Sequence, residues 1–235
     1  MATIAVIPGS FRFRASRTWT WSLTRLLLFL AAGLIGCNLI GDFAMAETLR
    51  FDTDPVGAAP PAWSAGVTGR GSHHWSVEAD ATAPSQPNVL KQSGQGDFPW
   101  CVLRGASLAD GFVEVRFKPI GGREDQAGGI VWRWKNGDNY YVARANALEN
   151  NVSLYYTQNG RRNTIKYVAA PVAAREWHTL SVEFAGSHIR VALDGKSYIE
   201  VDDRHITGTG AVGLWTKAES VTLFDDFAYG AMPGK

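Results

Sequence analysis

The chain has 235 residues, 46% of them hydrophobic, and its 23 basic and 22 acidic residues give a formal net charge of +1. A charge so close to zero gives no electrostatic basis for binding nucleic acid or an anionic membrane surface, so we expect neither partner. The length suits a single domain with a sizeable core.

The first 46 residues have the features of a secretory signal peptide. Four arginines and no acidic residue lie within residues 1–25, an apolar run follows at 26–40, and the segment ends in Ala44-Met45-Ala46. The apolar run is shorter than the roughly 20 residues that a transmembrane helix needs, so we expect no membrane span. Cleavage after Ala46 would leave Glu47–Lys235 as one periplasmic, secreted or cell-envelope domain with 19 basic and 21 acidic residues.

The two cysteines leave one alternative open for this segment. Leu34-Ile35-Gly36-Cys37 resembles the lipobox of bacterial lipoproteins, in which the cysteine is lipidated and becomes the first residue. On that alternative, Cys37 carries a lipid anchor. The other cysteine, Cys101, has apolar neighbours and is expected to be buried. A chain cleaved after Ala46 cannot form an intramolecular disulfide.

The rest of the chain predicts strands and no helix longer than about two turns. Gly111–Phe117 alternates apolar and charged residues, which is typical of a half-buried strand. A turn at Gly186-Ser187 places Glu183 opposite Arg190, and Asn159-Gly160 predicts a second hairpin. More than ten such strands with short turns indicate an antiparallel sandwich or barrel.

The segment 127–146 is the densest in aromatic and cationic residues. With Asn136-Gly137 as a two-residue turn, Trp132 lies opposite Tyr141 on one apolar face. The second face, on which Gly129 lies opposite Arg144, carries the candidate ligand-binding residues Arg133, Tyr140, Arg144 and Asn146. This face has the composition of a shallow ligand platform. The alternative is that it simply meets water, as one face of an antiparallel sheet commonly does.

The strand AVGLWTK adds two candidate ligand-binding residues, Trp215 and Lys217. Val212 and Leu214 take the other face. A tryptophan beside a lysine suits stacking on a sugar ring, with a donor for its hydroxyls. The alternative is a tryptophan that closes the edge of the sandwich. Glu219, in the following loop, could act as an acid or assist Lys217.

The last strand, Val221–Tyr229, suggests a metal site. Its predicted apolar face, with Leu223 and Phe227, also contains Asp225, and a carboxylate there needs hydrogen-bond partners or a metal. The segment FDTD is expected beside this strand, since terminal strands often neighbour each other. The candidate Ca²⁺ ligands are Asp52, Asp54 and Asp225. The alternative is that the backbone or an arginine satisfies Asp225.

Four segments carry a resemblance to a known family: FDTDPVG, DQAGGIVWRWKNGDNYYVARAN, REWHTLSVEFAGSHIRVALDG and GAVGLWTKAESVTLFDDFAY. From about Leu49 to Tyr229 the chain resembles the concanavalin A-like sandwich superfamily, and more narrowly bacterial 3-keto-disaccharide hydrolase-like domains near laminin-G-type modules. The resemblance implies an all-β, antiparallel jelly roll of two stacked sheets. One sheet is concave, and in such proteins that face commonly receives sugars. Fold analogy alone does not give a function.

Catalytic motifs give little support for an enzyme. Laminarinase-type members of the superfamily carry Glu-x-Asp-x-x-Glu on one strand, whereas here Glu200-Val201-Asp202 is followed by Asp203. No zinc, phosphate-loop or serine-nucleophile motif is present.

Two functions therefore remain open, both with a carbohydrate or glycoconjugate as partner. The first is an exported carbohydrate-active domain that binds a glycan and could hydrolyse a 3-keto glycoside. In that reaction Arg133 or Arg144 would polarise the ketone and Glu219 would move the proton. The second is a non-catalytic lectin-like or adhesive module of the cell envelope.

Overall fold

A computed structural model of the chain describes residues 46–232. The predicted signal segment before Ala46 and Cys37 lie outside these residues, so the signal peptide, its cleavage and the lipid anchor stay predictions. The described residues form fifteen strands: β1 Glu47–Leu49, β2 Trp63–Gly71, β3 Trp75–Ala79, β4 Asn88–Gln92, β5 Gly96–Leu103, β6 Gly111–Gly121, β7 Ala127–Asn136, β8 Asn139–Asn146, β9 Asn151–Gln158, β10 Arg161–Ala169, β11 His178–Ala185, β12 His188–Leu193, β13 Lys196–Asp202, β14 Ala211–Trp215 and β15 Val221–Gly230.

The strands form two antiparallel sheets, which confirms the predicted all-β jelly-roll sandwich. Sheet 1 has the order β13-β12-β11-β6-β15-β4-β3, with β1 paired to β15. Sheet 2 has the order β10-β9-β8-β7-β14-β5-β2. Residues 46–232 contain no α-helix. None of these residues belongs to a helix long and apolar enough to cross a membrane.

The main core lies between the two sheets and follows from strand alternation. In β6 of sheet 1, Val113, Val115 and Phe117 are buried while the residues between them are more exposed. From sheet 2, the Trp132 ring stacks on Phe184 with centroids 5.9 Å apart. Apolar side chains of both sheets thus interdigitate in one layer, the usual arrangement of a sandwich core.

Sheet 2 is strongly curved. The guanidinium of Arg162 on β10 lies 4.6 Å from the ring centroid of Phe98 on β5, although these strands are first and sixth in the sheet order. In a flat sheet, five spacings of about 4.8 Å would separate them by roughly 24 Å. The face that carries Arg162 and Phe98 is therefore concave, and it lies opposite the main core.

Hairpin registers follow the predicted turns, with local exceptions. Glu183 lies opposite Arg190 as predicted, and their side chains are 3.0 Å apart. The Asn159-Gly160 turn is also as predicted, but a bulge between Thr164 and Lys166 shifts the far half of that hairpin by one residue. Bulges add unpaired residues that composition does not reveal.

The hairpin β7–β8 departs from prediction at Arg133. The register is as predicted from Ala127 to Trp132, but the turn pairs Asn136 with Asn139, and a bulge absorbs the difference. Arg133 has a φ of +46°. The bulge removes Arg133 from the concave face, so the prediction that it shares a face with Tyr140 and Arg144 is wrong.

A second bulge corrects the predicted face of β15. The register shifts between Asp225 and Ala228, and Asp226 has a φ of +44°. As a result Phe224, rather than Leu223, joins Phe227 in the main core. Asp225 lies on the opposite face and does not intrude on the core.

Candidate functional site

The concave face of sheet 2 is lined at its centre by a second apolar cluster. Its buried members are Val102, Val131, Tyr140, Val142, Tyr155 and Trp215. Trp215 lies on the predicted face, but its exposed fraction is 0%. Its ring stacks on Phe98 at 5.7 Å. The indole fills the space beside Gly129, where an added Cβ would lie 3.3 Å from it. Trp215 is thus no open platform for a sugar ring.

Tyr140 is buried in the same cluster. Its hydroxyl lies 2.7 Å from Oγ1 of Thr68 on β2, on the far side of the curved sheet. Burial raises the pKa of Tyr140, and the hydrogen bond with Thr68 opposes that shift only in part. The phenol therefore stays neutral and ties two distant strands together.

One end of the concave face is polar, and we call it the polar end. Asp125, only 1% exposed, is at its centre. Asp125 Oδ1 accepts a hydrogen bond of 2.5 Å from Asn146 Nδ2 and lies 3.5 Å from Arg144 Nη1. Asp125 Oδ2 accepts from Lys217, whose side chain is 27% exposed. Three predicted residues are thus brought together by a carboxylate that sequence reasoning missed.

Arg144 links this carboxylate to a second one. Its Nη2 donates to Glu149 Oε2 at 2.5 Å and to Asn151 Oδ1 at 2.9 Å. Burial opposes ionisation of Glu149, but Asn151 and Arg144 outweigh it and lower the pKa of that carboxyl. The Glu149 side chain is 34% exposed. It therefore presents an ionised carboxylate to solvent.

Asn146 holds the turn beside this cluster. Its Oδ1 accepts from the backbone N–H of Leu148 at 2.9 Å and, more weakly, from Gln126 and Glu149. Its amide is thereby oriented with Nδ2 toward Asp125. Asn146 is buried, so it positions Asp125 rather than meeting a ligand.

A surface cleft of about 470 Å³ adjoins the polar end. Glu124 and Ala218, which line it, are next in sequence to Asp125 and Lys217. Glu219 also lines it, and its carboxylate accepts from the backbone N–H groups of Arg123 and Glu124. Burial opposes ionisation of Glu219, but these amide hydrogen bonds outweigh it and lower its pKa. Glu219 holds a loop and is not set up as an acid.

Arg133 lies at another site. Its Nε donates to Ala109 O at 2.9 Å, Nη1 to Ile206 O at 3.1 Å and Nη2 to Gly186 O at 2.8 Å. Its guanidinium also meets Asp110 at 3.2 Å and lies over the core ring of Phe184. Arg133 therefore ties loops together and is not part of the polar end.

The predicted calcium site does not form. Within residues 46–232, no three His, Cys, Asp or Glu side chains are grouped so that they could hold a metal ion, and Asp52, Asp54 and Asp225 are all in this range. Asp225 instead accepts from the backbone N–H and Oγ of Ser85, both at 2.8 Å. β1 pairs with β15, but FDTD follows β1 and lies outside the paired residues.

Several residues of the polar end were missed from the sequence. Asp125 lies two residues before the start of β7 and, by strand alternation, on the same side as Ala127 and Gly129. Continuing the alternation two residues toward the N-terminus would therefore have found it. Asn151 lies opposite Asn146, which requires the β8–β9 register. No local signal identifies Arg162, because only curvature brings β10 over the concave face.

Solved structures support the fold. The carbohydrate-binding module CBM66 from Bacillus subtilis matches with a TM-score of 0.59 and 18% identity, over 76% of this chain and 99% of that one. The fold is a concanavalin A-like jelly roll. A Bacillus subtilis protein of unknown function with a galectin-like fold matches with a TM-score of 0.52 and 11% identity, over 72% and 88% of the two chains.

A third similar structure is an enzyme. The Bacteroides ovatus mixed-linkage glucan GH16 protein matches with a TM-score of 0.50 and 12% identity, over 71% of this chain and 93% of that one. No protein-family model and no curated protein matches the sequence. At these identities the likeness concerns architecture, and the chemistry of this chain has to come from its own residues.

Proposed function

We propose that this chain is an exported glycan-binding domain that holds a sugar at the polar end of sheet 2. The observation that carries the proposal is the buried Asp125–Arg144 pair, with the partly exposed heads of Lys217 and Glu149 beside it and a cleft of about 470 Å³ adjoining. Ligand pockets commonly measure about 300–1,000 Å³ and use a few precisely held polar groups. The sugar-binding proteins among the similar structures agree with this proposal.

An exposed aromatic ring is available at the same end. Asn151 Nδ2 donates to the hydroxyl of Tyr167 at 2.6 Å, and Tyr167 is 53% exposed. A tyrosine held in this way can stack its ring on a sugar while its hydroxyl stays paired. We assign to Tyr167 the stacking role that the sequence suggested for Trp215.

Binding is favoured over acid-catalysed hydrolysis. A glycosidase needs a carboxylic acid whose pKa is raised, so that it can protonate the leaving oxygen. The pKa values of Glu149 and Glu219 are both lowered. Neither residue is therefore suited to that role.

Hydrolysis of a 3-keto glycoside is the second candidate function. In this reaction the ketone acidifies the adjacent C–H: a base takes that proton while a cation stabilises the enolate, the glycosidic C–O bond breaks and the proton passes to the leaving oxygen, and water adds to the double bond that forms. Glu149 and Lys217 are partly exposed groups of these two kinds at the polar end. Product analysis after incubation with 3-keto-disaccharides tests this candidate, and unchanged substrate eliminates it.

Glycan binding is tested with the chain from Glu47 to Lys235, which contains every described strand. A glycan array selects a ligand, and titration calorimetry then compares variants. We expect Tyr167→Ala to abolish retention and Lys217→Ala to weaken binding by roughly 1.5–3 kcal/mol, the range for charged hydrogen bonds. Lys135→Ala is the control, because Lys135 contacts Thr209 O, away from the polar end.

Two results would contradict the proposal. One is an array without any bound glycan. The other is a loss of affinity in Lys135→Ala as large as in Lys217→Ala, which would place the ligand elsewhere.

A further inference from the structure

Arg162 is a cation without a partner. Its guanidinium lies 4.4 Å from the Tyr155 ring centroid and 4.6 Å from that of Phe98. Its Nη1 is buried and has no hydrogen-bond partner within residues 46–232. None of the ion pairs among these residues includes Arg162. Aromatic contacts stabilise a cation, but they accept no hydrogen bond from its in-plane N–H groups.

A second guanidinium with an unused donor lies near the same ring. Arg144 is also close to Tyr155, at 5.5 Å from the ring centroid. Its Nε is buried and unpaired, although its other nitrogens meet Asp125, Glu149 and Asn151. Two unpaired N–H donors thus lie around a single aromatic ring, and buried donors without acceptors are costly.

The charges linked through Asp125 and the Tyr155 ring do not balance among themselves. Arg144, Arg162 and Lys217 are three cations, whereas Asp125 and Glu149 are two carboxylates. Burial lowers the pKa of Arg162, and the nearby Tyr155 and Asp125 offset this shift only in part. One anion beside the partly exposed Arg162 would balance this set.

We propose that the glycan bound here is acidic and that its anionic group, a carboxylate or a sulfate ester, lies against the partly exposed Arg162 beside the Tyr155 ring. This inference rests on the proposed function. Guanidinium groups suit such anions, because their planar N–H pairs match two oxygens at once. A uronic acid or a sulfated sugar supplies such a group.

Matched oligosaccharides test this inference on the chain from Glu47 to Lys235. Calorimetry compares an oligogalacturonate, its methyl ester, a sulfated oligogalactan and a neutral oligogalactan. We expect at least one acidic probe to bind about tenfold or more tightly than its neutral counterpart, as charged hydrogen bonds require. The preferred acidic probe distinguishes carboxylate from sulfate recognition. The comparison of the oligogalacturonate with its methyl ester tests the role of the carboxylate without any change to the protein.

Two variants locate the contact. Arg162→Met keeps an apolar stem between the aromatic rings and should weaken acidic binding by roughly 10- to 100-fold. Arg161→Met is the matched control, because Arg161 is exposed and adjacent in β10, and it should bind as the unmodified chain does. Thermal unfolding of both variants checks that the fold is retained.

The outcomes separate this inference from the proposed function. Equal affinity for acidic and neutral probes, or binding that Arg162→Met leaves unchanged, overturns the acidic ligand while glycan binding stands. Equal losses in Arg161→Met and Arg162→Met indicate general charge attraction and also overturn it. Failure of every glycan to bind overturns both.

Discussion

At the residue scale, Trp215 shows that strand alternation assigns a side chain to one face of the sheet but does not determine whether that side chain is exposed. The residue lies on the predicted side of β14 and is nevertheless buried. Curvature brings Phe98 and Arg162 over it. In this protein, a tryptophan and a nearby cation on one sheet face therefore belong to a buried cluster and not to an open binding surface.

Trp215→Ala should destabilise the fold strongly. Removing a buried tryptophan leaves a cavity and typically costs about 3–5 kcal/mol of unfolding free energy. Denaturant unfolding measures this loss. Tyr167→Ala is the control, because Tyr167 is largely exposed and its loss should change the unfolding free energy by about 0.5 kcal/mol or less. Equal stability of Trp215→Ala and the unmodified chain would mean that the concave face is open.

Asp225 should make stability depend on pH. Burial raises its pKa above the usual value of 3.8, despite hydrogen bonds from Ser85 and Asp226. A carboxyl with a raised folded-state pKa contributes stability that is fully present below the unfolded pKa and is lost as pH rises through the folded pKa. Asp225→Asn does not titrate. The melting temperature of the unmodified chain minus that of Asp225→Asn should therefore fall as pH rises from about 3.5 to 7. A constant or rising difference contradicts this.

At the element scale, bulges decide which side chains share a face. Those in β7 and β15 contain Arg133 and Asp226, both with positive φ. Each bulge moves the residues beyond it to the other side, because strand side chains alternate with a period of two. In the β11–β12 hairpin the residues next to the turn pair without a register shift, and the predicted pairs are confirmed there.

The β7 bulge should depend on the Arg133 side chain. Arg133→Met leaves the carbonyls of Ala109, Ile206 and Gly186 without this donor. Of these three bonds only the one to Ile206 O is buried, and a buried unpaired acceptor costs about 1–3 kcal/mol, so we expect a loss of roughly 1–3 kcal/mol in unfolding free energy. Arg204→Met is the control, because Arg204 lines a surface cleft together with Arg133 but is exposed.

The same variant separates a structural from a binding role. Glycan affinity of Arg133→Met, measured below its melting temperature, should equal that of the unmodified chain. A lower affinity with unchanged stability would return Arg133 to the binding site.

At the scale of the whole molecule, the sequence predicts a role for the N-terminal segment that differs from that of the sandwich. The arginine-rich start, the apolar run and Ala44-Met45-Ala46 predict export, and all fifteen described strands follow Ala46. Mass spectrometry of the protein from its host should therefore find Glu47 as the first residue. A lipidated Cys37 would establish the alternative, and an intact Met1 would contradict both.

The fold class could be predicted from the sequence because its signals are local. Alternation in Gly111–Phe117 and the turns at Gly186-Ser187 and Asn159-Gly160 act over a few residues, so strand type and most hairpin pairings follow from them. Cys101 is buried, as its apolar neighbours indicated. Of the candidate site, the grouping of Arg144, Asn146 and Lys217 on one face also followed from parity.

Only the tertiary structure decided which of these residues form a site. Asp125 joins Arg144 to Lys217 across three neighbouring strands, and Arg162 reaches Phe98 across six. Such contacts depend on sheet order and curvature, which arise when the whole sheet packs on its partner and which no short segment encodes. The sequence by itself determined the strands and their alternation. The closure of the sheet determined which side chains became core and which remained open to a ligand.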